Sequence, residues 1–298
     1  MKKLLALTLA LTLPMSLIAC GNSGTDSDNV TPATADTTDS ADTSDSTGAA
    51  DTSDSTDASD SGADSDLAYI QEKGTLVVGI TDFEPMDYKD ADGNWIGFDA
   101  DMATAFAESL GVSVEFVEID WDNKIMELDG KTIDCVWNGM TLTSEVTSSM
   151  ECSKAYCNNA QVVIVPADVA DQYQDTDSLS ELTFAVEAGS AGEEQANAFG
   201  LNCTPVKAQS DALMEVAAGT SDAAIIDSLM AAAMVGEGTG YADLTYTIGL
   251  NSEEYGVGFR KGSDLAASLN DFFSSSYADG SMMECAETYG VQAAIVEQ

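Results

Sequence analysis

The chain has 298 residues, with 10 Lys and Arg against 52 Asp and Glu, and a formal net charge of −42 at pH 7. Such an acidic chain is repelled by the phosphate backbone, which excludes nucleic acid as a partner. It contains no histidine, which excludes imidazole catalysis and His-ligated zinc, and we expect neither a metal site nor a cofactor.

Residues 1–19 have the pattern of a bacterial secretory signal. Two lysines precede the apolar stretch Leu4–Leu13, which is too short to span a bilayer as a helix, since about 20 residues are needed. The following Leu17-Ile18-Ala19-Cys20 resembles the lipobox of bacterial lipoproteins, in which the cysteine becomes the new N-terminus and carries a diacylglycerol. Cys20 is therefore the expected lipid anchor. The alternative is an ordinary cleaved signal followed by a chance cysteine.

Residues 20–66 form a low-complexity segment after the signal. Beyond Cys20 they are almost entirely Asp, Ser, Thr, Ala and Gly, without Lys, Arg or an aromatic residue. This composition cannot bury a core, so it predicts a disordered linker. We expect it to hold the domain at the cell surface, anchored to the outer face of the cytoplasmic membrane of a Gram-positive organism. A cation-binding tail is the alternative, although the aspartates are spread out rather than clustered.

Strand and helix patterns alternate from residue 67 onward. The first cycle predicts strands at 76–80, 112–117, 133–137 and 161–165, a turn between short strands at 88–95, and helices at 99–110 and 121–128. The second cycle predicts strands at 182–186, 204–206, 223–226 and 255–259, and helices opening near 189 and at 211–218, 229–235, 264–277 and 281–289. Repeated βα units of this length predict an α/β fold with two lobes.

Six motifs occur in order along 67–298. They are Gly74-Thr75-Leu76-Val77-Val78-Gly79, Gly97-Phe98-Asp99-Ala100-Asp101, Gly139-Met140-Thr141-Leu142-Thr143, Val186-Glu187-Ala188-Gly189-Ser190, Ala224-Ile225-Ile226-Asp227-Ser228 and Glu254-Tyr255-Gly256-Val257-Gly258-Phe259-Arg260-Lys261-Gly262. This ordered set resembles the polar amino-acid-binding family of ABC-importer solute-binding proteins, known as solute-binding protein family 3.

The resemblance implies a two-lobed fold of the periplasmic-binding-protein type II, with two crossing hinge strands. Lobe 1 would comprise 67–164 and 254–298, and lobe 2 would comprise 165–253. The implied function is capture of a small polar ligand, an amino acid, in the cleft between the lobes. A monomer would then deliver this ligand to an ABC permease.

The resemblance also implies roles for individual residues. Asp227 matches the position that holds the ligand ammonium, although it could instead cap the helix that follows. Gly189 and Ser190 match a turn that binds the ligand carboxylate through backbone N–H groups at a helix N-terminus. Gly139 and Thr141 match first-lobe residues that contact the ligand, with a simple loop as the alternative.

Three aromatic residues are candidates to cover the ligand side chain. Trp121 matches the family's stacking position, and Phe83 is a second candidate. Trp137 could lie either in the cleft or in the core.

The chain departs from the family at Val146, where an arginine usually clamps the ligand carboxylate. Either Asn138, Asn158 or Asn159 shares the carboxylate with the Ser190 turn, or the ligand is not a standard α-amino acid.

Several acidic residues complicate the predicted ligand site. Glu187 stands where some relatives have a basic residue. Asp82, Glu84 and Asp87 are expected near the mouth, where they could favour cations.

Two other function classes remain open. A dehydratase on the same fold would need a positioned acid or base, for which Glu84 or Glu187 could be nominated. A sensory ligand-binding module is the other alternative.

Overall fold

A computed structural model describes residues 65–298, so the predicted signal, the Cys20 anchor and nearly all of the linker lie outside the described residues. The helices are α1 (Asp66–Lys73), α2 (Phe98–Ser109), α3 (Lys124–Asp129), α4 (Ser144–Ser149), α5 (Ala191–Ala198), α6 (Gln209–Ala218), α7 (Ser228–Met234), α8 (Leu265–Asp279) and α9 (Ser281–Thr288). A 3₁₀ turn at Trp121–Asn123 leads directly into α3.

The strands are β1 (Thr75–Ile80), β2 (Tyr88–Lys89), β3 (Trp95–Ile96), β4 (Ser113–Glu118), β5 (Cys135–Thr141), β6 (Glu151–Cys152), β7 (Cys157–Asn159), β8 (Gln161–Pro166), β9 (Thr183–Glu187), β10 (Asn202–Val206), β11 (Ala223–Asp227), β12 (Leu244–Gly249) and β13 (Glu253–Phe259). In the described part of the chain they form two larger sheets and the β2–β3 hairpin. The predicted α/β class is confirmed.

The first sheet has the order β4-β1-β5-β13-β6, with β7 also paired to β13. Its β1, β4 and β5 are parallel, whereas β13 runs antiparallel to its neighbours. The second sheet has the order β10-β9-β11-β8-β12, in which β9, β10 and β11 are parallel and β8 and β12 are antiparallel to the strands beside them. Helices α2 and α8 pack on the first sheet, and α5, α6 and α7 pack on the second.

The strand pairing corrects one predicted lobe boundary. Residues 161–164 were assigned to lobe 1, but they belong to β8, which pairs with β11 and β12 in the second sheet. The chain therefore leaves the first sheet after Asn159 and returns to it at Glu253. The two short connections lie side by side because β7 pairs with β13. A run of apolar residues does not show which sheet it will join, and so the boundary was misplaced.

Helix α1 was not predicted, and it includes Asp66, which the sequence analysis placed in the linker. Ser65 caps it by accepting a hydrogen bond from the Ala68 N–H at 3.0 Å. Asp264 accepts from the Ser65 hydroxyl at 2.5 Å and from the Leu67 N–H at 3.0 Å, which ties the start of the described chain to lobe 1.

Trp137 lies in the core of lobe 1 and not in the cleft. Its side chain is fully buried, with ring centroids 5.5 Å from Phe273 and 6.5 Å from Tyr156. The five cysteines of residues 65–298 are free thiols, so Cys152 and Cys157 do not form a disulfide. None of the helices within residues 65–298 is both long and apolar enough to cross a membrane.

Candidate ligand-binding site

A cavity of about 570 Å³ lies between the two sheets, and seven of the eight predicted site residues line it. These are Trp121, Asn138, Gly139, Thr141, Gly189, Ser190 and Asp227. The first sheet contributes the end of β5, and the second contributes the ends of β9 and β11 with the turns that follow them. In open α/β sheets, ligands bind at the carboxyl ends of the strands, because the backbone and side-chain polar groups there are free of the ladder.

Phe83 is the predicted residue that does not line the cavity. It is 2% exposed and lies beneath Gly139, at the place that a side chain on residue 139 would occupy. Gly139 has φ +55°, so both its backbone conformation and this close approach require glycine. Phe83 also meets Tyr255 edge to face at 6.3 Å. Its role is thus to support the cavity floor.

The polar groups of Asn138 and Gly139 are engaged in that floor. The Asn138 side chain donates to Asp87 Oδ2 at 2.8 Å and accepts from the Thr81 N–H at 3.0 Å. The Gly139 N–H donates to Asp99 Oδ2 at 2.6 Å. The prediction that the Asn138 side chain holds a ligand carboxylate is therefore wrong, because its amide already has partners.

Two acids lie below this floor. Asp87 and Asp99 are both fully buried, so Asp87 is not at the mouth as predicted. Burial raises the pKa of Asp99 to about 7, although hydrogen bonds from Tyr156 and the Gly139 N–H oppose the shift. Asp82 and Glu84 line a separate cavity of about 380 Å³ and do not reach the large one.

Asp227 lies where the two lobes meet and is 4% exposed. Its Oδ1 accepts hydrogen bonds from Gln161 Nε2 and from the Tyr255 hydroxyl, each at 2.8 Å, and also from Asn159 Nδ2. Its Oδ2 accepts from Gln209 Nε2. Burial, followed by the charge of Glu253, raises the pKa of Asp227 to about 8. All these partners in the described chain are neutral donors.

The capping alternative for Asp227 is not what the structure shows. Asp227 is the N-cap residue of α7, yet its side chain accepts no hydrogen bond from that helix. Glu253 shares two of its donors: Glu253 Oε1 accepts from Asn159 Nδ2 at 2.7 Å and from Gln161 Nε2 at 2.8 Å. Glu253 Oε1 also accepts from the Thr141 hydroxyl at 3.0 Å, so that hydroxyl is already engaged with Glu253.

The turn before α5 differs from the predicted anion site. The Gly189 N–H donates to Glu193 Oε2 at 2.7 Å, and the Ser190 hydroxyl accepts from the Glu193 N–H at 3.2 Å. This reciprocal arrangement resembles a capping box. The prediction that the Gly189 N–H awaits a carboxylate is therefore wrong, because a carboxylate of the chain already accepts from it. The Ser-x-x-Glu spacing is typical of a capping box and could have predicted this arrangement from the sequence.

Lys124 is a site residue that the sequence analysis missed. It is 7% exposed and lines the cavity, where its Nζ lies 4.9 Å from the centre of the Trp121 ring. The ammonium donates to the backbone carbonyls of Trp121 at 3.2 Å and Gly189 at 2.8 Å. Burial lowers the pKa of Lys124, and nearby carboxylates, led by Glu187, oppose the shift. The three-residue spacing of Trp121 and Lys124 in a short helix could have indicated the pair.

Acidic side chains outnumber basic ones on the cavity wall. Among the described residues that line it, Lys124 is the one cation. The acids are more numerous, and they are Asp122, Glu145, Glu187, Glu193, Glu194 and Asp227. The wall therefore favours a ligand with cationic groups.

Direct contacts between the lobes show that the cleft is closed. Besides the Lys124–Gly189 hydrogen bond, Lys207 Nζ of the second lobe lies 3.1 Å from Glu118 Oε1 of the first. Gly189 also packs tightly on Asp122: a Cβ at residue 189 would lie 2.8 Å from Asp122 Cα. These contacts form only when the lobes approach each other.

The chain is similar to several characterised proteins. L-cystine-binding protein TcyJ of Escherichia coli is 26% identical over 224 residues, which cover 74% of this chain and 84% of that protein. The L-arginine-binding protein of Pseudomonas aeruginosa is 28% identical over 224 residues, which cover 70% of this chain and 84% of that protein. An enzyme is also among the relatives. Cyclohexadienyl dehydratase of Pseudomonas aeruginosa is 28% identical over 138 residues, which cover 45% of this chain and 52% of that protein.

A solved structure shares the two-lobed fold. An ABC uptake transporter substrate-binding protein from Streptococcus pneumoniae with bound histidine superposes with a TM-score of 0.70 at 29% identity, covering 78% of this chain and 98% of that one. The sequence profile of one family matches residues 76–292. Because this match spans both sheets and the cavity between them, the chain belongs to the bacterial extracellular solute-binding proteins, family 3.

Proposed function

We propose that the chain is the lipid-anchored, monomeric binding subunit of an ABC importer in a Gram-positive organism, and that it captures an amino acid rather than acting as an enzyme. The cavity supports this proposal, because it is closed by both lobes and carries charged groups suited to the two ends of an amino acid. Relatives named for binding cystine, arginine and histidine support it as well. Cys20 and the preceding apolar stretch support the lipid anchor.

Asp227 is the proposed partner of the ligand ammonium. The environment of its carboxyl group is the observation that carries the proposal. Four neutral side chains orient its carboxyl, and none of them balances a negative charge. Oδ2 has one protein donor among the described residues, so a lone pair remains for the ligand. An ammonium at this atom would form a charge-assisted hydrogen bond and bring the pKa of Asp227 down again.

Lys124 is the proposed partner of the ligand carboxylate. Val146 cannot serve, because its side chain is 4% exposed and packs in an apolar cluster with Trp121 and Met140. Lys124 keeps one N–H beyond those given to two carbonyls, and its contact with Trp121 fixes its position on the wall. An ammonium in this place supplies the positive charge that the family usually provides with arginine.

The experiment is calorimetric titration of the purified domain with L-cystine, L-arginine and L-histidine. For the amino acid that binds, Asp227→Ala should weaken binding by about 2–5 kcal/mol, because the ligand ammonium loses its partner in a closed cavity. Asp227→Asn should weaken it less, since one acceptor oxygen remains. Asp243→Ala is the matched control, because Asp243 is an exposed acid in the same lobe. Equal binding by the wild type and Asp227→Ala would refute the assignment.

A further inference from the structure

A second buried carboxyl, that of Glu187, lies in the cavity wall. Glu187 is the last residue of β9, its side chain is 2% exposed, and it lines the large cavity. Its Oε1 has no hydrogen-bond partner among residues 65–298. Because an unpartnered buried carboxyl oxygen is costly, this atom is suited to accept a hydrogen bond from a ligand.

The described chain does not supply a cation for Glu187. Lys124 attracts it, but the Lys124 ammonium donates to carbonyls and lies within 4.0 Å of no carboxylate in residues 65–298. Burial and then the charge of Asp227 raise the pKa of Glu187 to about 8. Lys124, Thr81 and Gln209 oppose this shift, since each of them lowers the pKa. Without a cation beside it, Glu187 is therefore protonated at neutral pH, and a cation there would favour the ionised form.

Glu187 and Asp227 are positioned to act on one ligand. They are the last residues of β9 and β11, which are parallel neighbours in the second sheet. Both side chains line the same cavity, and the charge of Asp227 raises the pKa of Glu187, so the two carboxyls are close enough to face one ligand. A ligand that satisfies both must present two separate donor groups.

We propose that Glu187 binds a second cationic group of the ligand, so that the cavity selects a compound with two cationic groups, such as a basic amino acid, over a neutral amino acid. This inference rests on the proposed function, because Asp227 takes the first cationic group. On binding, the Glu187 O–H bond breaks and its proton passes to the buffer. The ligand N–H then donates to the carboxylate that remains.

The test compares L-arginine with L-citrulline, its neutral counterpart of nearly the same shape, and with agmatine, which has both cationic groups but no carboxylate. Titrations at pH 7 in phosphate and in Tris give the number of protons released, because the two buffers differ in ionisation heat. We expect arginine to bind about 30-fold or more tightly than citrulline, and the ratio of the two affinities to rise up to about tenfold per pH unit below pH 8.

Glu187→Gln should remove most of the preference for arginine over citrulline and release about one proton fewer per bound arginine. Glu181→Gln is the matched control, because Glu181 is an exposed glutamate just before the same strand. The wild-type comparison of arginine with citrulline, in both buffers, needs no variant and decides the question if Glu187→Gln does not fold.

The outcomes separate this inference from the proposed function. Equal affinity for arginine and citrulline would overturn the inference and leave amino-acid binding intact. Proton uptake, or a ratio of arginine to citrulline affinity that falls as the pH rises, would overturn it too, since Glu187 would then be acting as a hydrogen-bond donor. Binding of agmatine but of neither amino acid would support the inference and remove the amino-acid assignment. Binding of none of the three would overturn the inference.

Discussion

Replacing Gly189 by alanine should weaken ligand binding by hindering closure of the lobes. Gly189 belongs to the second lobe, and a Cβ there would meet Asp122 of the first lobe, 2.8 Å from both its Cα and its Oδ1. Much of this contact is with backbone, which cannot rotate away as a flexible side chain can. The clash exists only when the lobes are together, so it should raise the free energy of the closed form and not of the open one.

The free-energy cost of alanine at residue 189 has two parts. Gly189 has φ +68°, and an alanine in this left-handed region costs about 1–2 kcal/mol in open and closed forms alike. That part lowers stability but cancels in binding. Overpacking costs about 1–3 kcal/mol and applies to the closed form alone. Because 1.4 kcal/mol is a tenfold change, the dissociation constant should rise about 5- to 150-fold.

Gly200→Ala is the matched control for Gly189→Ala. Gly200 is in the same lobe with φ +67°, and a Cβ there would meet nothing within 4 Å. Both variants should lose similar stability in urea unfolding, and calorimetry should show weaker binding in Gly189→Ala alone. Small-angle scattering should also show less compaction with ligand. Equal affinities in the two variants would refute the account of Gly189 as a closing contact.

Two further predictions concern pH and the membrane anchor. The folded domain without ligand retains protons that the unfolded chain has lost, because the pKa of Asp99 is raised to about 7 and those of Glu187 and Asp227 to about 8. Its stability should therefore fall as the pH rises from about 4 to 8, and Asp99→Asn should reduce that slope by about 1.4 kcal/mol per pH unit between pH 5 and 6.5 in urea unfolding. An unchanged slope would mean that Asp99 ionises freely in the fold. Separately, Cys20→Ala should move the protein from the membrane fraction to the medium with unchanged ligand affinity, and a variant that stays in the membrane fraction would remove the lipid-anchor argument.

The order of elements and the family could be predicted from the sequence because both depend on local patterns. The apolar spacing in Asp99–Leu110 predicted α2, which runs from Phe98 to Ser109. The ordered glycine and acid motifs predicted the family that the profile match shows. Such patterns are complete within short stretches of chain, so no tertiary contact is needed to read them.

Side-chain partners could not be predicted in the same way. Asn138 was expected to bind a ligand, but Asp87, 51 residues away, takes its amide. The Gly189 N–H was expected to be free, whereas Glu193 takes it by local capping. The first of these depends on which distant groups the sheets bring together, and sequence spacing does not show that.

The sequence by itself determined the acidic charge, the alternation of strands and helices, and the loss of the family arginine at Val146. The tertiary structure decided that β8 joins the second sheet, that Lys124 supplies the cation in the cavity, and that Glu187 is buried beside Asp227. The physical reason is that burial and charge pairing are sums over neighbours from both lobes. Those groups become neighbours only once the cleft between the two sheets has formed.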